Sequence, residues 1–306
     1  MQHLLSIQQL NKEDTLAILE EAAAFERGPV PNLSDKILIS FFAEPSTRTR
    51  LSFEAAMHRM GGRVVTAADA SVSSSLKKGE TLKDTFRTLS QYGDLIVMRH
   101  DDPEWPKAAE KYSRIPVING GSGSGEHPTQ ALLDLYTIKK ETDRLDDLNV
   151  MLCGDLFYGR TVHSLVHLLK LFGAKLFLVP AAVKSASHGP TTQLVMPMQY
   201  LHNYEHVKQL TPTEARLRLH EMDVVYMTRI QNERVGGNII STEMLEFGQQ
   251  EMDLLKPTGV LLHPLPRGKE ITEEVDSHPR AAYHERQIKN GVYIRMSLMR
   301  RILEEK

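Results

Sequence analysis

Lys36-Ile-Leu-Ile-Ser-Phe-Phe42, then Ala43-Glu-Pro-Ser-Thr-Arg-Thr-Arg50, then Leu51-Ser-Phe-Glu-Ala-Ala-Met-His-Arg-Met60 is the stretch that decides the fold. A short apolar run stops at Pro45, and a helical apolar spacing begins after the hydroxyl and arginine residues. This is strand, turn, helix. A helix start offers N–H groups without intrahelical acceptors and a partial positive charge, which suits an anion such as phosphate. Arg48 and Arg50 add planar, permanently charged forks that match phosphate or carboxylate oxygens. The plain alternative makes Ser46 an N-cap and puts both arginines on a solvated face; the five residues alone leave the two readings about even.

The same alternation runs outward from this stretch. Residues 7 to 27 read as one or two short helices, with Asn11 or Asp14 as a cap. Strand patterns follow at Arg63–Ala67, Asp94–Met98 and Ile115–Ile118, and helical ones at Thr81–Tyr92, Pro106–Tyr112 and Pro128–Thr142. A second unit begins near residue 148, with strands at Leu148–Cys153, Lys175–Val179, Asp223–Met227 and Gly259–Leu262. Its helices are expected at Thr161–Phe172, 196–203, Thr213–Met222 and Ser241–Leu255, and residues 181–193 read as a loop. Residues 281–304 predict a final helix broken near Asn290-Gly291. The fold class is therefore α/β: two similar-sized domains, each a parallel sheet flanked by helices, with Pro128–Thr142 as the bridge.

Composition narrows the function. A length of 306 residues suits one large or two ordinary domains, and a net charge of −2 argues against a general nucleic-acid binder. The single Cys153 excludes an intrachain disulfide framework and fits a reducing cytoplasm. The segment Met1-Gln-His-Leu-Leu-Ser6 lacks signal-peptide character, and no apolar run approaches a membrane span.

Polar residues cluster just after the apolar strands. Arg99-His100 follows one; Glu126-His127-Pro-Thr-Gln130 follows another after Gly120-Gly-Ser-Gly-Ser-Gly125. In the second unit the clusters are Gly154-Asp-Leu-Phe-Tyr-Gly-Arg160, Thr228-Arg-Ile-Gln231 and His263-Pro-Leu-Pro-Arg267. In open α/β sheets ligands bind beyond the carboxyl ends of strands, so an active site in an interdomain cleft is expected. Singly, most of these residues read as surface charges or turn formers. Together they predict a positive pocket for a substrate with several negative charges. The glycine run fails the dinucleotide fingerprint, since position 126 is Glu; it reads as a sharp turn ahead of His127. His163 and His167 lack a zinc context and read as surface or core residues. No nucleophile–base pair stands out, so the chemistry is expected to proceed by positioning and charge stabilisation.

Phe42-Ala-Glu-Pro-Ser-Thr-Arg-Thr-Arg50, His127-Pro-Thr-Gln130 and Gly154-Asp-Leu-Phe-Tyr-Gly-Arg-Thr-Val-His-Ser164 resemble the aspartate carbamoyltransferase family of catalytic chains. Tyr226-Met-Thr-Arg-Ile-Gln231 and His263-Pro-Leu-Pro-Arg267 extend the resemblance, which covers roughly residues 36–180 and 223–300. Ornithine-type relatives typically carry His-Cys-Leu-Pro at the last motif and a Ser-Met-Gly segment that this chain lacks. The resemblance implies a carbamoyl phosphate-binding domain over residues 1–145, with a helix of about 286–306 packing back on it. It implies an aspartate-binding domain over 146–285. It further implies that Ser46, Thr47, Arg48 and Thr49 bind phosphate, and that Arg99, His127 and Thr49 contact the carbamoyl oxygen. Gln130 and the Pro264–Leu265 backbone would hold the carbamoyl amino group, and Arg160, Arg229 and Gln231 the aspartate carboxylates.

The resemblance reverses the plain reading of Ser73–Glu80 as a solvated loop: Ser74 and Lys78 would reach a neighbouring subunit's site, which implies a homotrimer with shared sites. The reaction implied is carbamoyl transfer from carbamoyl phosphate to L-aspartate in pyrimidine biosynthesis, with no metal or organic cofactor. Regulatory chains or a dihydroorotase partner are left open. A catalytically silent homologue and a transferase for another amine are the competing readings. Two segments depart from the family pattern, 181–210 and 235–250, and neither removes a motif residue.

Overall fold

The computed structural model describes residues 2–68, 79–185, 191–235 and 239–304. The chain divides into two compact units, Met1–Leu133 with Ile288–Lys306, and Asp134–Gln287. The first unit begins with α1 (Lys12–Arg27), capped by the Asn11 side chain, which accepts from the Asp14 N–H at 2.7 Å. Then β1 (Ile37–Phe42), α2 (Thr47–Arg59), β2 (Arg63–Ala68), α3 (Leu82–Leu89), β3 (Leu95–His100), α4 (Trp105–Tyr112) and β4 (Val117–Ser122) alternate. The four strands form a parallel sheet in the order β2-β1-β3-β4. The apolar runs Leu38–Ile39 and Leu95–Met98 are buried in it, which is why they read as continuous and not alternating. Phe86 of α3 stacks on Trp105 of α4 at 6.2 Å, and both join the core formed with Ile39, Ile96 and Met98.

The helix α5 (Pro128–Thr142) starts in the first unit and ends in the second. The second unit continues with β5 (Asn149–Gly154), α6 (Arg160–Leu171), β6 (Lys175–Pro180), β7 (Ala182–Ser185), β8 (Thr192–Gln193) and α7 (Met198–Leu201). Next come β9 (Val207–Gln209), α8 (Pro212–Leu217), β10 (Val224–Met227), α9 (Asn232–Val235), β11 (Ile239–Glu243), α10 (Gln249–Leu254) and β12 (Val260–Leu262). A parallel sheet runs β12-β10-β5-β6-β9, and its buried strand residues Met151, Val225 and Leu261 share one core.

Three sequence expectations change here. Residues 181–193 are not wholly a loop: β7 and β8 pair antiparallel, and β11 joins them in a small third sheet. The expected helix Ser241–Leu255 is instead β11 followed by the short α10. The β-branched residues Ile239, Ile240 and Thr242 favour the extended form once β7 offers an edge. The last helix, α11 (Arg286–Glu304), runs unbroken through Asn290-Gly291. Gly291 serves packing there, since a Cβ would lie 2.5 Å from Arg295 Nη1 and 3.0 Å from Leu133 Cδ2. This helix is fastened to the first unit by Ser297 Oγ and Arg301 Nε, which donate to Glu21 at 2.6 and 2.8 Å, and by Arg295 Nη1 to Ser52 Oγ at 2.8 Å.

Candidate active site

In the first unit three chain segments converge. β1 ends at Phe42, and the N–H groups of Ala43 and Glu44 both turn toward the Arg99 carbonyl at the end of β3 (2.8 and 3.4 Å). Pro45 follows, and Ser46 stays extended with φ −159° and ψ 104° before α2 begins at Thr47. Ser46 stands at the N-cap position, yet its side chain makes no capping bond; its Oγ accepts from Arg99 Nη1 at 3.4 Å. Arg99 Nη2 donates to Glu44 Oε1 at 2.8 Å. Thr49 Oγ1 lies 3.3 Å from His127 Nε2, and both residues are buried. Thr47 and Arg48 are exposed on the first turn of α2. Pro128 at the start of α5 sets His127 against this turn, and Gln130 follows one turn on, its N–H bonded to the His127 carbonyl at 3.0 Å. Arg50 lies apart in role: it pairs with Glu54 at 3.5 Å along α2.

The second unit presents its polar residues at the ends of β5, β10 and β12. Gly154 has φ 104°, and a Cβ there would fall 2.0 Å from the Thr228 carbonyl oxygen, so only glycine lets the ends of β5 and β10 approach. The buried Asp155 carboxylate accepts the N–H groups of Phe157 and Tyr158 at 3.2 and 2.9 Å, and that of Gln231 at 3.1 Å. It thus ties the turn before Arg160 to the segment that carries Arg229 and Gln231. Burial pushes the Asp155 carboxyl up, and these N–H bonds and the Arg229 charge oppose that rise only in part. Both Nη atoms of Arg229 meet Glu233 of α9 (3.0 and 2.5 Å).

The turn after β12 is held by His263. Its Nδ1 accepts the Leu265 N–H at 2.7 Å, so its proton resides on Nε2, which faces Glu270 Oε1 at 2.9 Å. Burial disfavours charge on Glu270, yet the bonds from His263 and the Gly268 N–H outweigh it and hold the carboxyl below its usual range. Leu265 adopts φ 56°, a left-handed conformation that the His263 contact helps enforce. Arg267 forks onto Asp276 and touches Tyr283 Oη at 3.1 Å.

The structure brings Ser46, Thr47, Arg48, Thr49, Arg99 and His127 together in the first unit, with Gln130 one turn along α5. In the second, Gln231 and the Arg229 charge meet Asp155, Arg160 follows the turn that Asp155 caps, with its N–H on the Tyr158 carbonyl at 2.9 Å, and Pro264 and Leu265 form the turn after β12. Ser74 and Lys78 lie outside the described residues. The expected positive pocket is modified: Arg99 and Arg229 each carry a carboxylate, Glu44 on the more buried Arg99 and Glu233 on the more exposed Arg229. Glu44, Asp155, Glu233 and Glu270 are therefore members of these clusters that a search for cations missed. Their signal was present, since each lies within seven residues of a named basic or histidine residue. His163 is a core residue: Nε2 bonds the Leu156 carbonyl at 3.0 Å and the ring stacks on Tyr200 at 4.0 Å. Among the described residues no helix is long and apolar enough to cross a membrane.

Residues 2–140 match the sequence profile of the aspartate/ornithine carbamoyltransferase carbamoyl-P binding domain, and residues 146–302 that of its Asp/Orn binding domain. The aspartate carbamoyltransferase catalytic subunit of Chromobacterium violaceum is 43% identical over 99% of this chain and 98% of its own. That of Methanothrix thermoacetophila is 42% identical with the same coverages. Aspartate transcarbamoylase of Trypanosoma cruzi in complex with N-(phosphonacetyl)-L-aspartic acid superposes with a TM-score of 0.84 at 37% identity. That match covers 97% of this chain and 94% of the other. Identity of this order over both domains and nearly every residue leaves one conclusion: the chain belongs to the aspartate/ornithine carbamoyltransferase family, among its aspartate carbamoyltransferase catalytic chains.

Proposed function

We propose that this chain transfers the carbamoyl group of carbamoyl phosphate to the amine of L-aspartate, giving N-carbamoyl-L-aspartate and phosphate for pyrimidine biosynthesis. The observation that carries the site reading is the meeting of the α2 start with Arg99 and His127, through Ser46 at 3.4 Å and Thr49 at 3.3 Å. In this reading Ser46, Thr47, Arg48 and Thr49 take the phosphate, since a helix start with exposed guanidinium suits a dianion. Arg99, Thr49 and His127 take the carbamoyl oxygen. Gln130 and the Pro264–Leu265 backbone take the carbamoyl amino group, and Arg160, Arg229 and Gln231 take the aspartate carboxylates.

The aspartate amine attacks the carbamoyl carbon, negative charge gathers on its oxygen, and the bond to the bridging phosphate oxygen breaks. Arg99 and His127 stabilise that oxygen, and Arg48 and Lys78 the departing phosphate. The amine proton leaves with the phosphate, so no protein general base is required. Ser74 and Lys78 act in the site of a neighbouring copy, which makes the working form a homotrimer in the cytoplasm.

Product formation from carbamoyl phosphate with aspartate, ornithine and related amines tests the reaction. Turnover is expected with aspartate alone; turnover with another amine and none with aspartate overturns it. Mixing Lys78→Ala with Arg48→Ala chains tests sharing. Mixed trimers are expected to regain activity, and confirmed mixed trimers without recovery refute the shared site.

A further inference from the structure

The segment before α1 is built into the first unit by polar contacts that all end near one loop. Leu4 extends the sheet beside β4: its N–H donates to the Val117 carbonyl at 2.9 Å, and its carbonyl accepts the Asn119 N–H at 2.8 Å. Asn119 Nδ2 then donates to the Leu5 carbonyl at 2.8 Å. At Ser6 the chain turns into the short helical turn Ile7–Gln9. Here Glu126 takes over. Its Oε1 accepts the Ser6 hydroxyl at 2.7 Å, and its Oε2 accepts the Ile7 N–H at 2.8 Å. A carboxylate at a turn start satisfies donors that the helix leaves open.

Glu126 also closes the loop that leads to His127. Its carbonyl accepts the Ser122 N–H at 3.1 Å, and the Gly125 N–H bonds the Ser122 carbonyl at 2.8 Å. The Gly123 N–H meets the His100 carbonyl at 2.9 Å, one residue beyond Arg99. The next residue after Glu126 is His127, which lies 3.3 Å from Thr49. Burial pushes the Glu126 carboxyl up, and the Ile7 and Ser6 bonds counter that only in part, so its two donors are what justify placing a carboxylate there.

We propose that Glu126 is a positioning residue for His127: through Ser6 and Ile7 it fastens the loop Ser122–Glu126 to the N-terminal segment, and so fixes the imidazole against Thr49. The proposal deepens the transferase reading and rests on it for the role of His127. A small misplacement of a group that stabilises developing charge lowers turnover strongly and leaves ground-state binding of a separate group alone.

Three variants test it: Glu126→Ala, Glu126→Gln and Ser6→Ala. Glu126→Ala is expected to lower kcat about 10- to 100-fold. Inhibition by inorganic phosphate, held at the α2 start, is expected to stay near the wild-type value. Glu126→Gln is expected to recover most of the rate. Its amide oxygen can accept from Ile7 N–H while its NH2 donates to the Ser6 hydroxyl oxygen. Adding Ser6→Ala to Glu126→Ala is expected to cost little more, because both act through one contact. The His127 ring resonances, read by NMR, are expected to shift in Glu126→Ala and to return in Glu126→Gln. Wild-type kcat with unmoved His127 resonances in Glu126→Ala overturns the proposal. So does equal impairment of the alanine and glutamine variants, or loss of phosphate inhibition in parallel with kcat. If the wild-type chain fails to transfer carbamoyl groups, the transferase reading falls, and the His127 resonances still decide the positioning claim.

Discussion

The two proposed substrate-binding clusters, one in each unit, each carry at or just beyond a strand's end an arginine that meets a glutamate, but these two halves of the reading are supported differently. In the first unit the Arg99 and Glu44 side chains are 13% and 22% exposed, and main-chain bonds from Ala43 and Glu44 fix the neighbouring carbonyl. In the second unit Arg229 and Glu233 are 31% and 55% exposed. Their segment is held mainly by the Gln231 N–H to Asp155, and by Ile230 and Val235 in a small core with Val183 and Leu194. The first half is therefore set by a sheet and a helix start, and the second by a loop fastened to buried Asp155 that leaves its arginine and glutamate within reach of solvent. A phosphate site gains from fixed backbone dipoles, whereas a site for the acceptor can be re-formed around each carboxylate at modest cost.

The largest effect should follow from breaking the fixed half. Arg48→Ala removes the guanidinium of an exposed residue on the first turn of α2. It should lower kcat/KM about 10²- to 10³-fold, the scale on which one charge-stabilising donor acts. Thermal unfolding should stay cooperative and near the wild-type midpoint. Near-normal turnover in this variant would sink the phosphate assignment. Arg229→Ala comes next. It should raise the aspartate KM by roughly 10- to 100-fold through loss of a charge-assisted fork, and leave inhibition by phosphate unchanged. A parallel loss of phosphate inhibition would mean that the two halves are not separable in the way their supports suggest.

The contrast also explains what the chain discloses before folding. The α2 start was readable because the strand, the proline, the hydroxyls and the helix lie within one stretch, Lys36–Met60, and their roles are local. The parallel strands were readable for a related reason: buried on both faces, Leu95–Met98 and Val150–Leu152 appear as unbroken apolar runs. The third sheet was not readable. Ile239 pairs with Ser185 and Val183 with Thr192, so each strand becomes a strand only when a distant edge arrives. These strands lie in the two segments that depart from the family pattern, and they flank the residues that bury Ile230 and Val235 beside Arg229. Gly291 misled for the opposite reason. Its helix-breaking tendency is outweighed by the packing of Arg295 and Leu133 against it.

A third test addresses the turn after β12, where His263 and Glu270 form a second buried anchor. His263→Ala removes the acceptor of the Leu265 N–H and one donor to Glu270, which is 2% exposed and keeps the Gly268 N–H. Taking a partner from a buried polar group costs about 1–3 kcal/mol. The variant should lose stability on that scale by urea unfolding, with a moderate fall in kcat/KM of about tenfold as Leu265 leaves its left-handed conformation. The pH dependence carries a definite sign. Because the folded Glu270 carboxyl sits below its unfolded value, its contribution is complete above that value and is lost as pH falls through the folded one. Urea midpoints measured downward from pH 6 should therefore fall in the acid range, and Glu270→Gln should flatten part of that fall. An acid slope identical in wild type and Glu270→Gln would remove Glu270 from this account.

The smallest expected effect is at Glu233, and it separates two meanings of the exposed pair. Glu233 holds both Nη atoms of Arg229, so it either presents the guanidinium in one orientation or occupies the place of a substrate carboxylate. An exposed i,i+4 pair is worth a few tenths of a kcal/mol, so either role moves affinity by only a small factor. Orientation is favoured by the third contact, Arg229 Nη1 to the Ile230 carbonyl at 3.1 Å, which already aims one edge of the fork and leaves Glu233 to complete the plane. Glu233→Gln should therefore raise the aspartate KM about two- to fivefold, with kcat little changed. A lower KM in this variant would mean that the glutamate competes with substrate, and that the Arg229 charge is held by a carboxylate that must first be displaced.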